Sequence, residues 1–226
     1  ISLGESNPVI GSFAGRAEAK FGIKISNSYC NKPIHYVVEK SLLHSCDFEE
    51  TFVMGAKKIL QSGNIQERNQ PLLSNGKQTA GDLFSSNNSF VKNATKIIDQ
   101  EICKYRHTFK DSTEGLITQW PSSYKISGWL VSYKNGGSIR PHMHENGWIS
   151  GSIYINVPPG LKNDAGSLVV CVEDPQYTTD ADDKSNKIIN VETGSLCLFP
   201  ASLLHYTIPF EAKEDRIVLA FDVLPQ

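Results

Sequence analysis

The sequence predicts a mainly β domain with flanking helices, an α+β arrangement built on a closed or two-sheet antiparallel barrel. Three observations lead there. From about residue 118, six short β-type runs follow one another, broken by Gly, Pro and Asn, at the spacing of small antiparallel barrels. Upstream of them, two segments carry charged and apolar residues in helical order, enough to cover one sheet from outside. No apolar run approaches the roughly 18–20 residues of a membrane span, so the 39% hydrophobic content goes to a globular core.

In chain order, residues 1–29 are rich in Gly, Ser and Asn and predict a linker or the tail of an upstream module. The start, ISLGESNPVI, has neither Met nor a basic-then-apolar signal, and the chain is expected to be trimmed or a fragment. PIHYVVEKSLL (33–43) is β-branched and partly alternating, which predicts a strand. DFEETFVMGAKKILQSG begins with acids, ends with lysines and closes on Gly63, predicting a helix with its dipole complemented. Residues 64–80 are polar and broken by Pro, Asn and Gly, hence a loop. Phe90, Ala94, Ile97, Ile98, Ile102 and Tyr105 recur at helical spacing, predicting a second amphipathic helix over 85–109. The strands expected after that are KISGWLVSYK, WISGSIYINV, GSLVVCV, NKIINVE, GSLCLFP and RIVLAFDVL, with an acidic loop at 174–184. Residues 30–226 are expected to form one domain, with 30–117 as support and 118–226 as the barrel.

Composition narrows the function. A net charge of -2 argues against nucleic-acid binding, which usually brings a basic excess. The five cysteines (Cys30, Cys46, Cys103, Cys171, Cys197) contain no CxxC pair, which excludes a zinc ribbon or thioredoxin-type motif. Buried reduced thiols and a cytoplasmic location are expected.

RPHMHENGW (140–148) places His142 and His144 one residue apart, in a chain with six histidines. On a strand, residues i and i+2 share a face, so both imidazoles can reach one ion. A third ligand must come from elsewhere, and His205 in FPASLLHYTIPF is the candidate. Imidazoles suit Fe, Zn, Cu and Ni alike, and solvated strand-end histidines are the competing interpretation. Trp148, Ser150, Ser152 and Tyr154 have the same parity as the histidines. A barrel face with two Ser and a Tyr hydroxyl makes sense if a polar ligand satisfies it, because unpaired buried polar groups cost a few kcal/mol each. Arg216, opening RIVLAFDV, enters an otherwise apolar strand, where a guanidinium calls for an anion such as a carboxylate; pairing with Glu214 or Asp215 is the alternative. His35, His44 and His107 have no partner at ligand spacing.

Three ordered motifs, HMHENGWISGSIYINVP, GSLCLFPASLLH and DRIVLAFDV, resemble the Fe(II)/2-oxoglutarate-dependent oxygenases. More narrowly they resemble the family marked by HxHxxxWLSGxYY, GxLxLFPSxLxH and ERISIAFN. GWLVSYKNGGSIRPHMH is similar to the corresponding run of prolyl hydroxylases, and GKQTAGDLF (76–84) is a looser match. The resemblance implies a double-stranded β-helix (jelly-roll, cupin-like) barrel and an oxidoreductase, a dioxygenase acting as a hydroxylase. It implies Fe(II) held by His142, His144 and His205, with O2 and 2-oxoglutarate as co-reactants and succinate and CO2 as products. Arg216 and Tyr154 would bind the far carboxylate of 2-oxoglutarate, with Tyr133 and Ser152 beside it, and the catalytic set would be His142, His144, His205 and Arg216.

Two departures stand out. His144 replaces the usual HxD carboxylate, so either three histidines bind the metal or Glu145 or water takes that position. Val218 stands where Arg-x-Ser is common. Trp148, Gln78 and Thr79 are candidates for the substrate entrance. A three-histidine cupin-type dioxygenase needing no 2-oxo acid, and a non-catalytic binding barrel, are the competing functions. The substrate, small molecule or protein side chain, is open, as is the oligomeric state; no nucleic acid or membrane partner is expected.

Overall fold

Among the described residues, ten strands form one sheet: β1 (Val38–Ser41), β2 (Glu67–Arg68), β3 (Leu73–Thr79), β4 (Tyr124–His142), β5 (Ile149–Asn156), β6 (Leu168–Cys171), β7 (Asn186–Ile189), β8 (Ser195–Pro200), β9 (Leu204–Thr207) and β10 (Arg216–Pro225). The structure, a computed structural model, describes residues 6–61, 67–175 and 185–226; most of the expected acidic loop lies outside the described residues. The strand order is β1-β8-β5-β10-β4-β9-β6-β7, with β3 added to β4 and β2 to β3. All pairings are antiparallel, and the sheet curls into a nearly closed barrel.

The closure depends on β4. Its first half, Tyr124 to Tyr133, pairs with β10, and its far end, Ile139 and His142, pairs with β9. Between them the chain turns at Gly136, whose φ of 73° favours glycine. Its N–H donates to the Phe210 carbonyl at 2.8 Å, which fixes the bend.

Alternation along the strands separates two cores. On β10, Leu219, Phe221 and Val223 face the helices, and on β5 Ile149, Ile153 and Ile155 do the same. Against them pack Ile98, Ile102 and Tyr105 of α3 (Ser89–Thr108), all essentially inaccessible. Each fully buried side chain of this size contributes about 1.5–3 kcal/mol of apolar transfer. The opposite face, with Val131, Tyr133, Tyr154, Leu168, Phe199 and Val218, fills the barrel.

The helices follow the expected signals. In α3, Asn88 caps the N-terminus by accepting from Val91 N–H at 2.9 Å, and Arg106 and His107 sit in the last turn. Asp47 accepts from Glu50 N–H at 3.1 Å at the start of a π-helical stretch, Glu49–Met54, that continues as α2 (Gly55–Gln61).

Three segments depart from expectation. Within residues 1–29 lies α1 (Pro8–Phe21), capped by Asn7 and ended by Gly22 at φ 66°. Gly11 allows α1 to approach the body, where an added Cβ would meet the Tyr29 ring at 2.9 Å. The strand expected over 33–43 shortens to β1, because residues 33–36 form a 3-10 turn opened by Pro33. The loop expected at 64–80 contains β3, whose polar sequence has little strand propensity but pairs along the β4 edge. Of the cysteines, Cys30, Cys171 and Cys197 are buried as expected, whereas Cys103 is exposed on α3.

Candidate active site

His142, His144 and His205 meet at one mouth of the barrel, each offering a ring nitrogen within 4.8 Å of the others. His142 ends β4 and is the register partner of His205 on β9, so two residues far apart in sequence become cross-strand neighbours. Their ring centroids are 4.2 Å apart, and those of His144 lie 5.2 and 4.9 Å from His142 and His205.

His144 reaches the cluster by a different route from the one its spacing suggests. β4 ends at His142, and His144 stands in the following turn, where its carbonyl accepts from Gly147 N–H at 3.2 Å. Strand alternation therefore does not aim His144; side-chain contacts do. Its Nδ1 lies 2.8 Å from Asp222 Oδ1, and the Trp129 ring stands 5.2 Å away. Glu145 is exposed and outside the cluster.

The three rings are suited to a cation. Histidine ligates as the neutral imidazole. Burial, reinforced by His144, pushes His142 down to about 4, and burial beside both other rings holds His205 well below the ordinary imidazole range. His142 Nδ1 is 2.9 Å from the Arg140 carbonyl, so it donates there and leaves Nε2 as the lone-pair nitrogen. His205 Nδ1 is buried without a hydrogen-bond partner.

Deeper in the same cavity, of about 50 Å³, lies Arg216. It is 1% exposed, and among the described residues its Nε, Nη1 and Nη2 meet no carboxylate and no hydrogen-bond partner of good geometry, the Tyr133 hydroxyl being the polar group beside them. Buried guanidinium nitrogens are ordinarily paired, because desolvating an unpaired charge costs several kcal/mol. The rings of Tyr133 and Tyr154 stand 5.0 and 4.9 Å from its central carbon, where they can offset part of that cost by about 0.5–2 kcal/mol each. Burial raises both phenols above their ordinary range, so they remain O–H donors at neutral pH. The acids beside Arg216 in sequence do not neutralise it. Asp215 instead pairs with Lys134 at 2.5 Å and accepts from Ser132 at 3.2 Å.

Register explains the grouping. Arg216 faces Tyr133 across β10–β4, and Tyr154 is the β5 partner of Val218 after a bulge at Ile217/Val218. Ser150, Ser152 and Tyr154 line the cavity as their parity suggested. Trp148 does not: it precedes β5, its indole N–H donates to the Leu116 carbonyl at 2.9 Å, and its ring packs edge-on against Tyr29. Gln78 and Thr79 are also buried away from the cavity, Thr79 accepting from Leu130 N–H at 3.1 Å. Among the described residues, His35, His44 and His107 belong to no metal-ligating group. Asp222 was missed from the sequence, although continuing the parity of Arg216, Val218 and Ala220 by one more step reaches it.

Three imidazoles that could hold a cation and an enclosed guanidinium that calls for an anion share one cavity. Residues 127–222 match the model of the family described as "Putative 2OG-Fe(II) oxygenase". No curated protein matches the chain. Among solved structures, the chain is similar to a prolyl-4-hydroxylase of Pseudomonas putida, with 13% identity and a TM-score of 0.58 over 84% of this chain and 92% of that one. It is also similar to HygX of Streptomyces hygroscopicus, solved with nickel and 2-oxoglutarate bound, with 12% identity and a TM-score of 0.55 over 87% and 84%. A third is SnoN, a non-heme alpha-ketoglutarate-dependent epimerase from nogalamycin biosynthesis, with 9% identity and a TM-score of 0.60 over 86% and 77%. At these identities the similarity is one of fold.

Proposed function

We infer, from the match of residues 127–222 to the model of the 2OG-Fe(II) oxygenase family, that the protein is an Fe(II)- and 2-oxoglutarate-dependent dioxygenase that hydroxylates its substrate. The observation that carries the inference furthest is the buried, unpartnered Arg216 in the same cavity as the three histidines. A three-histidine dioxygenase without a 2-oxo acid, or a passive binding barrel, leaves that charge with no partner. Residues 30–226 would form a single oxygenase domain with the catalytic barrel at 118–226.

The donor set fits the cofactor. His142, His144 and His205 would hold Fe(II), since imidazole suits that ion and the depressed basicity of His142 and His205 keeps them unprotonated. The iron, with 2-oxoglutarate and O2, supplies the oxidative chemistry, yielding succinate, CO2 and a hydroxylated product. The protein's own residues do the rest. Arg216 would grip the far carboxylate of 2-oxoglutarate, a planar match for its forked donors. Tyr154 and Tyr133 would flank that carboxylate and donate to it, and Ser152, whose hydroxyl is 3.5 Å from Tyr154, would orient Tyr154. Val131, Ile139, Leu168, Phe199 and Val218 wall the site and exclude water.

Titration of the metal-free protein with Fe(II) and 2-oxoglutarate under nitrogen tests this. A weak visible metal-to-ligand charge-transfer band that needs both additions is expected. Iron binding without that band would favour the three-histidine dioxygenase, and no iron binding would favour a passive barrel.

A further inference from the structure

We propose that Asp222 is a positioning residue of the metal centre, anchoring His144 through Nδ1 and supplying the site's negative charge from outside the ligand set. The proposal rests on the three histidines being the metal ligands. His144 is the ligand candidate without a strand to aim it, since the ladder of β4 ends two residues earlier. Asp222 meets that need. It is buried on β10, with the same parity as Arg216, and its Oδ1 lies 2.8 Å from His144 Nδ1. An ionised carboxylate can only accept, so the contact requires the hydrogen on Nδ1 and leaves Nε2 to the metal.

The carboxylate is itself held. Ser150, its register partner on β5, donates to the same Oδ1 at 2.7 Å. Gly147, in the turn that carries His144, approaches so closely that an added Cβ would sit 3.2 Å from Oδ1. Histidine, turn and carboxylate form one packed unit.

Charge gives a second reason. Three neutral imidazoles leave the metal's 2+ uncompensated, and Arg216 adds 1+ in the same cavity. The 2− of 2-oxoglutarate and the 1− of Asp222 bring that sum to zero. Without Asp222 the loaded cavity would carry a net positive charge in a poorly solvated space, which is costly.

The test is Co(II) titration of metal-free protein, followed by the visible ligand-field absorption of the bound ion. Asp222→Ala is expected to weaken Co(II) binding 10–100-fold, the usual effect of losing an outer-shell partner, and to alter the band. Asp222→Asn keeps an acceptor for Nδ1–H but not the charge, so an intermediate loss with a near-native band is expected. It also stands in if the alanine variant fails to fold. In a His144→Ala background, Asp222→Ala should cost no more than Asp222→Asn costs in the parent, because only the charge is then lost; that reduced effect is the signature of a residue that positions His144. Native Co(II) affinity and an unchanged band in both single variants would overturn the proposal, and so would equal losses in the two backgrounds. If His144→Ala and His205→Ala themselves leave Co(II) binding intact, it is the three-histidine assignment that fails.

Discussion

His142 and His205 are paired residues across β4 and β9, with ring centroids 4.2 Å apart. Two of the three candidate ligands are thus set by the barrel's strand register, while the third, His144, depends on a turn and its side-chain contacts.

This asymmetry gives the first prediction. His205→Ala is expected to lower Fe(II) or Co(II) affinity by more than 100-fold and to abolish succinate production. His144→Ala should retain weak metal binding through the paired ligands, with activity reduced by at least tenfold. Metal titration by calorimetry, together with succinate release, checks both.

Arg216→Met removes a buried charge that meets no acid among the described residues and replaces it with an apolar chain of similar reach. Its unfolding midpoint without cosubstrate is expected to stay level or rise, since exchanging buried charge for well-packed apolar atoms is often neutral or stabilising. Binding of 2-oxoglutarate should fall by about 2 kcal/mol or more, roughly 30-fold, with metal affinity retained. Unchanged succinate output in this variant would refute the role given to Arg216.

Glu101, buried on α3, ties that helix to β1 through Lys40 at 2.7 Å and pairs with Lys104 of its own helix at 2.8 Å. Burial alone would raise its carboxyl, but the two lysines prevail and hold it below the usual 4.5. A carboxylate whose folded pKa lies below its unfolded value contributes stability above the unfolded value and loses it as pH falls through the folded one. Glu101→Gln should therefore cost about 1–3 kcal/mol at pH 7, with the difference from the parent shrinking as pH falls below 4.5. Urea unfolding across pH 3 to 7 measures it.

Gly151 faces Phe221 across β5–β10, and a Cβ at that position would lie 2.3 Å from the ring's Cζ. The ring is buried among the helices and cannot swing away. Gly151→Ala is expected to destabilise by about 1–3 kcal/mol through overpacking, lowering the melting midpoint by roughly 2–4 °C per kcal/mol. Thermal unfolding followed by circular dichroism is the check.

Much of the fold was legible because local chemistry and tertiary environment agree. The helix over 89–108 carries its own cap and apolar stripe, and the strands after residue 118 have β-branched runs with turn residues between them. The misses are places where context overrides propensity. Residues 73–79 are a strand because β4 has an open edge, and residues 8–21 pack because Gly11 leaves room against Tyr29. In the site, parity placed Ser150, Ser152 and Tyr154 correctly but failed at Trp148, because counting by two holds only inside a strand.

From the residues alone came the candidate ligand types, their motif order, a solitary cation entering an apolar strand and the alternation of β5. Those are properties of composition and period, which a chain carries before it folds. The barrel's closure decided that His142 and His205 are neighbours, that Arg216 meets no neutralising acid among the described residues, and that Asp222 stands behind His144. Such relations depend on strand register and on where a bend falls, and many residues distant in sequence set them together.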